Sequence, residues 1–566
     1  MGQKFEEFEY RRPDMANWKA EFQDGLNRFK QATSFDEQLT AMDRINQLRR
    51  NISTMEALCY VRHSIDTEDS FYKGEQDFFD EVTPEIQEMV TSFYQALVKA
   101  TFRSQLEEKY GKQLFALAEA QLKTFSPEIM TLMREENKLT SEYAKLVASA
   151  KIPFDGEERT LAQLLPYMES ESRKVRKEAS DAHYQFFADH LEQFDQIYDR
   201  LVKMRTEMAQ KLGFKNFVEL GYYRMSRTDY NAEMVANYRK QVRELIVPIV
   251  SSLYERQAKR IGVAPLYFYD EGYRFKTGNP VPKGSPEWII ENGAKMYQEL
   301  SPETDEFFQL MLGSNLVDLV AKKGKMFGGY CISLDDFGVP FIFSNFNGTS
   351  DDIDVLTHEV GHAFQNYLSR HYRIPEYNWP TMDACEIHSM SMEFFAWPWM
   401  EKFFKEDEEK YYFHHLTAGL RFLPYGVMVD EFQHLVYENP DWTPEKRRAV
   451  WHDLEKVYLP HRNYDDNDYL NSGGFWQRQT HIYQAPFYYI DYTLAQVCAF
   501  QFWKKMHEDR ESAWDDYVKL CKLGGSKSFV ELVKEVNLIS PFEDGCIASV
   551  VDDLQAWLDK VDDGKL

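Results

Sequence analysis

His358, Glu359 and His362 have the residue types and spacing of a metal site that carries its own base, in the run His358-Glu359-Val360-Gly361-His362. Residues four apart on an α-helix lie nearly one above the other, so both imidazoles can face one metal ion. Glu359 falls about 100° further round the same helix. There its carboxylate can take a proton from water held at that ion. A surface helix with two solvated histidines could carry the same residues, but the flanks argue against it. Thr349, Ser350, Asp351, Asp352 and Asp354 offer a capping hydroxyl and an acidic first turn. Ala363-Phe364-Gln365-Asn366-Tyr367-Leu368 then continues with apolar residues at buried spacing, so a helix is expected to carry the motif.

Two histidines leave a tetrahedral zinc one protein ligand short, with the fourth place kept for water. Glu386 is the candidate, in a second stretch that reads as a helix until Pro398. Glu386, Ser389, Met390 and Glu393 share one face of it at i, i+3, i+4 and i+7, among apolar neighbours. Carboxylates on such a face are costly unless a cation meets them. Glu386 as ligand and Glu393 as an outer acceptor would account for both. Asp383 and His388 stand close by and remain alternative ligands on spacing alone.

Further along, Tyr489 and Tyr492 lie three apart, so both hydroxyls can face one cleft. A neutral phenol or a histidine there could donate to an oxyanion without competing for the metal. Packed rings with wet hydroxyls are the commoner use of a tyrosine-rich helix. Before the histidine motif, Gly328 to Ser333 and Val339 to Phe346 flank the turn Leu334-Asp335-Asp336-Phe337-Gly338, which is a hairpin signal. Its strands either pair fully within a small sheet or leave an edge to which an extended peptide could add.

An H-E-x-G-H run followed 24 residues after its second histidine by a Glu-x-x-Ser-x-x-x-Glu helix resembles the thimet oligopeptidase and oligoendopeptidase F family of zinc metallopeptidases. His481-Ile482-Tyr483-Gln484-Ala485-Pro486-Phe487-Tyr488-Tyr489-Ile490-Asp491-Tyr492 is similar to that family's C-terminal histidine and tyrosine cluster. Gly213-Phe214-Lys215-Asn216-Phe217, Tyr269-Asp270 and Gly278-Asn279-Pro280 look like the oligoendopeptidase F branch. The likeness covers roughly residues 200 to 500. The tyrosine spacing departs slightly from the mammalian members, which bears on Tyr488 and Tyr489 more than on Tyr492.

The resemblance implies a zinc-dependent endopeptidase acting on short oligopeptides, with one zinc per chain held by His358, His362 and Glu386. It implies Glu359 as base, Tyr492 as oxyanion donor supported by His481 and Tyr489, and substrate contact at Gly329, Tyr330, Phe343, Ser344, Asn345 and Tyr488. It also implies a mainly α fold: two helical lobes, residues 1–200 and a catalytic region 201–566, around a deep channel, with a small β-sheet beside the zinc helix. A zinc carboxypeptidase of similar fold and a peptide-binding protein without catalysis are the other readings. Glu359 speaks against the second, because a binder needs no base.

The rest of the chain must position these groups. Thr83, Ser126, Ser285, Ser301 and Thr443 each precede Pro-Glu, offering an N-cap oxygen, a first-turn proline and an acid near the positive helix end. Ser34-Phe35-Asp36-Glu37 reads as a capping box. Gly473-Gly474 reads either as a mobile loop over the cleft or as a plain turn. At 566 residues the chain can bury a large core. A net charge of -26 argues against nucleic acid and anionic membranes as partners. No apolar run approaches the roughly 20 residues of a membrane span, and Met1 to Glu6 show no secretory core. Six scattered cysteines without C-x-x-C pairs read as reduced thiols, so a cytoplasmic setting is expected. Cys385, beside Glu386, reads as a small buried apolar residue in preference to a redox switch.

Overall fold

A computed structural model describes residues 3–326 and 328–566. Met1 and Gly2, part of the stretch read above for a leader, lie outside the described residues.

Three hydroxyl-Pro-Glu signals open helices as expected. Ser285, Ser301 and Thr443 accept backbone N–H groups at the starts of Pro286–Leu300, Pro302–Gly313 and Pro444–Tyr458. Ser126 caps a 3-10 turn, Pro127–Ile129, that runs into Met130–Ala148. Thr83 is different, because Pro84 lies inside the helix Ser70–Val98. Interior proline costs about 3 kcal/mol. Burial of Phe79, Val82 and Phe93 on the same helix, at about 1.5–3 kcal/mol each, outweighs that cost. The Thr83 hydroxyl donates to Phe79 O (2.7 Å) instead of capping.

Helices make up 71% of the protein, so the fold is mainly α. Apart from a short hairpin, Ile152–Phe154 with Glu157–Arg159, the strands among the described residues form one small sheet. Its strands are β1 (Val317–Val320), β2 (Tyr330–Leu334) and β3 (Val339–Phe346), in the order β1-β3-β2. The expected hairpin is the antiparallel β2–β3 pair, with Tyr330 opposite Phe343 and Leu334 opposite Val339. β1 adds to it in parallel. β3 is therefore central, with a neighbour on each side, while β2 keeps a free edge among the described residues.

Four helices build the site. They are α1 (Asp351–Ser369), α2 (Met382–Phe395), α3 (Glu408–Glu438) and α4 (Tyr489–Glu508). The hydroxyls ahead of α1 do not cap it. The Asp352 carboxylate turns back instead and accepts the N–H groups of Asn347 and Gly348, both at 2.8 Å. α1 and α2 touch at Gly361, where an added Cβ would stand 2.7 Å from His388 O and Ser389 Cα. No other residue type allows that approach.

Buried apolar side chains form two clusters. The smaller draws on Trp18 to Ala118 with Ile374 and Tyr377. The larger takes in residues from Phe5 to Leu558, on both sides of residue 200, and includes α1 to α4. Gly473-Gly474 is a buried turn and not a loop over a cleft: a Cβ on Gly473 would meet Arg448 O at 2.1 Å, and Gly474 O accepts from the Tyr469 hydroxyl. No described helix is long and apolar enough to cross a membrane.

Candidate active site

α1 presents His358 and His362 one turn apart, and α2 brings Glu386 to meet them. Glu386 Oε2 lies 3.2 Å from His358 Nε2 and 3.3 Å from His362 Nε2. One ligand atom from each residue lies within 4.8 Å of the others, the only such group of three or more among the described residues. Burial disfavours charge here, yet Glu386 and Glu393 raise the His358 pKa to about 10, and Cys385 and Glu386 raise that of His362. The pocket thus favours positive charge where the three ligands converge. The sequence alternatives turn away. Asp383 accepts from the Tyr230 hydroxyl (2.8 Å), and His388 is fully buried with Nδ1 against Ala384 O (3.1 Å).

An outer layer fixes the rings. Glu393 accepts from His358 Nδ1 and from His415 Nε2, each at 2.7 Å. The Trp397 indole N–H donates to His415 Nδ1 (3.2 Å), which leaves Nε2 to carry the proton toward Glu393. Ser389 donates to Glu386 Oε2 at 2.9 Å. Cys385 Sγ stands 3.6 Å from His362 Nδ1, within this layer. Glu393 was legible as an outer acceptor from its helix face. His415 and Trp397 were not, since nothing in their spacing points to a ligand on another helix.

Glu359 is 8% exposed, and its Oε2 is buried with no hydrogen-bond partner. Burial raises its pKa, against the pull of the two imidazoles. An unpartnered, proton-seeking oxygen one residue from a ligand is where a base for metal-held water belongs. Gly329 stands beside it; a Cβ there would lie 3.6 Å from Glu359 Oε1.

The tyrosine cluster gathers at the start of α4. The His481 ring lies 4.9 Å from Tyr489 and 6.0 Å from Tyr492, and Tyr488 lies 4.9 Å from Tyr492. Gln479 accepts from the Tyr425 hydroxyl and gives its N–H to His481 Nδ1, both at 2.8 Å. That network assigns the His481 proton to Nε2. Burial lowers the His481 pKa, keeping the ring neutral. Burial raises Tyr492 to about 12, so its phenol stays protonated at neutral pH. The cluster therefore offers neutral N–H and O–H donors.

Its placement depends on Arg227 and Gln433, which no motif or spacing singles out. Phe487, just before α4, has φ of +68°. Its N–H donates to Gln433 Oε1 (2.9 Å), and its carbonyl accepts from Arg227 (2.5 Å). Arg227 also pairs with Asp491 at 2.6 Å, both side chains fully buried. These anchors hold a strained backbone that aims Tyr488 and Tyr492.

Of the hairpin residues, Tyr330 lies on the edge strand β2, with its ring stacked on Phe343 at 4.8 Å. Phe343 and Ser344 are buried on β3. Asn345 holds the loop ahead of β2 through Met326 O (2.9 Å) and Gly328 O (2.7 Å). The structure thus sets Gly329 beside Glu359 with Ser344 close by, whereas the Tyr330 ring packs on Tyr60 and Phe343.

Two histidines and a glutamate from adjacent helices, a free base and a ring of neutral donors define a helical hydrolase site. The comparisons give its class. The model described as "Peptidase M3 N-terminal domain" matches residues 5–125, and "Peptidase family M3" matches residues 292–551. A structure of Pz peptidase A with an inhibitor is 64% identical, with a TM-score of 0.92 over 99% of this chain and 100% of that one. A candidate oligoendopeptidase F from Bacillus anthracis str. Ames is 57% identical, with a TM-score of 0.88 over all of both chains. Oligopeptidase PepF of Bacillus subtilis is 23% identical over 94% of this chain and 80% of its own length. The chain belongs to peptidase family M3, and is a peptidase of oligopeptides in the likeness of the oligoendopeptidase F proteins.

Proposed function

We propose that this protein is a zinc-dependent endopeptidase that hydrolyses internal bonds of short, unstructured peptides in the cytoplasm. Residues 1–200 form its N-terminal helical lobe and residues 201–566 its catalytic region. The observation that carries the reading is the spacing of the three ligands. Separations of 3.2 and 3.3 Å match the edges of a tetrahedron with bonds of about 2.0 Å, the length of zinc bonds to imidazole nitrogen and carboxylate oxygen. His358, His362 and Glu386 would hold one zinc per chain. When bound, zinc lowers the pKa of water toward 7 and polarises a carbonyl.

This chain's own groups do the rest. Glu359 Oε2 takes the proton from the attacking water and returns it to the departing amine. Tyr492 donates to the oxyanion that forms as the carbonyl carbon becomes tetrahedral, and His481 Nε2–H and Tyr489 complete the donor ring. The free edge of β2 binds the peptide main chain beside Gly329 and Tyr330, with Phe343, Ser344 and Asn345 supporting that strand and Tyr488 closing the other side.

The test is digestion of a mixture of short peptides and one folded protein, read by mass spectrometry with and without a zinc chelator. Internal cuts confined to the short peptides and lost on chelation are expected. Stepwise trimming from one end would replace this reading with a carboxypeptidase, and binding without any cutting, with zinc supplied, would make the protein a peptide binder.

A further inference from the structure

Arg421, on α3, is a buried cation without a counter-ion. The seven other arginines of comparable burial each meet a carboxylate. Arg421 is 9% exposed and makes no hydrogen bond or ion pair among the described residues. Its Nε is sealed and unpartnered. Its two Nη nitrogens also lack partners among the described residues yet keep accessible surface. The guanidinium lies over the Tyr254 ring at 4.4 Å, and that ring stacks on His461 at 3.8 Å. Arg274 joins the cluster through His414, 3.1 Å away and seven residues before Arg421 on the same face of α3. Arg274 has no carboxylate partner either. The nearby Glu271 is engaged by Arg462 at 2.8 Å. Burial and Arg274 hold the Arg421 pKa down to about 10, as expected for a cation facing another cation.

The cluster borders the catalytic groups. Tyr425, one turn beyond Arg421, reaches His481 through Gln479 and stands 5.8 Å from Tyr489. In the other direction His415, which holds Glu393 behind His358, is six residues away, about 9 Å along the helix.

We infer that Arg421 and Arg274 form a receptor for a carboxylate of the bound peptide. The shared chemistry is a carboxylate, from the peptide's C-terminus or from an acidic side chain. Planar guanidinium suits either through paired N–H donors. The inference rests on the peptidase reading above and adds a determinant of which peptides are taken.

The test uses quenched fluorescent peptides in three forms: free acid, C-terminal amide, and amide with aspartate near that end. Wild type, Arg421→Met and Arg274→Gln are compared by kcat and KM. In wild type, one carboxylate form should show a KM about 10- to 100-fold below that of the plain amide, the worth of a hydrogen bond to a charged group. That advantage should vanish in Arg421→Met and shrink in Arg274→Gln, with kcat little changed. Preference for the free acid assigns the terminus, and preference for the aspartyl amide assigns a side chain. Equal KM for all three forms in wild type overturns the inference, as does a preference that survives in Arg421→Met. Chloride raising the Tm of wild type but not of Arg421→Met, with no substrate preference, would also overturn it in favour of a small structural anion.

Calorimetric binding of the same peptides to Glu359→Gln separates the two readings. If wild type with zinc cuts nothing, the peptidase reading fails, while the carboxylate preference in binding still stands or falls alone. Arg421→Met should keep or raise the Tm, because it removes an unpaired charge, whereas Arg227→Met should lower it by stranding Asp491.

Discussion

At the scale of single residues, the site divides into groups that hold and groups that react. Glu359 has a free, buried oxygen while the three candidate ligands are committed to one another. Glu359→Gln should therefore bind zinc as wild type does, with turnover down about 10²- to 10⁴-fold, the usual worth of a general base. Zinc content by elemental analysis beside kcat checks this, and unimpaired hydrolysis would remove Glu359 from the mechanism. Tyr492→Phe should lower kcat by about 10²-fold with little change in KM, as loss of one oxyanion donor does. A change confined to KM would make Tyr492 a binding residue. His358, Glu359, His362 and Glu386 could all be chosen from sequence because their chemistry is written in helical spacing. Arg227, Gln433 and His415 could not. Each acts on a partner far along the chain, and such a pairing leaves no periodic trace.

At the scale of elements, α1 and α2 supply all three candidate ligands, so their separation sets the geometry. Gly361 is the point of contact. Gly361→Ala would place a Cβ 2.7 Å from the α2 backbone, and backbone cannot yield as a side chain can. Overpacking of this kind costs about 1–3 kcal/mol. The larger effect should be on zinc affinity, because moving α2 moves Glu386. Competition with a chelator measures it, and unchanged affinity with unchanged Tm would mean that the helices are free to separate. The hairpin and the ligand helices were legible because each shows its own periodicity. The capping of α1 was not: an aspartate two residues inside the helix displaced the hydroxyls expected to do it. Pro84 likewise reads as a helix start until packing partners outside its window are known.

At the scale of the whole molecule, three buried histidines far from the metal ligands link stability to pH. Burial pushes His183 down to about 3, and His434 and His461 to about 4, each from 6.5. Between those values the unfolded chain binds more protons than the folded one. Stability from these groups is thus complete above about pH 6.5 and is lost as pH falls toward 4, by about 1.4 kcal/mol per histidine per pH unit. Calorimetric Tm should fall steadily from pH 7 to 5, and His434→Gln should flatten the slope. A Tm independent of pH over that range would show that these rings titrate alike in the folded and unfolded chain.

The larger core also ties the first residues to the middle of the chain. Phe5 donates its N–H to Ser314 O (2.9 Å) and packs its ring on Phe341 (4.5 Å), and Phe8 stacks on Phe337 (3.9 Å). Phe337 and Phe341 sit on the hairpin immediately ahead of α1. During synthesis on the ribosome, Phe5 and Phe8 therefore emerge more than 300 residues before the surface that receives them. The amino-terminal helices can begin to pack at once, while the strip in front of them waits. The sheet beside α1 is thus covered by a segment made more than 300 residues before it.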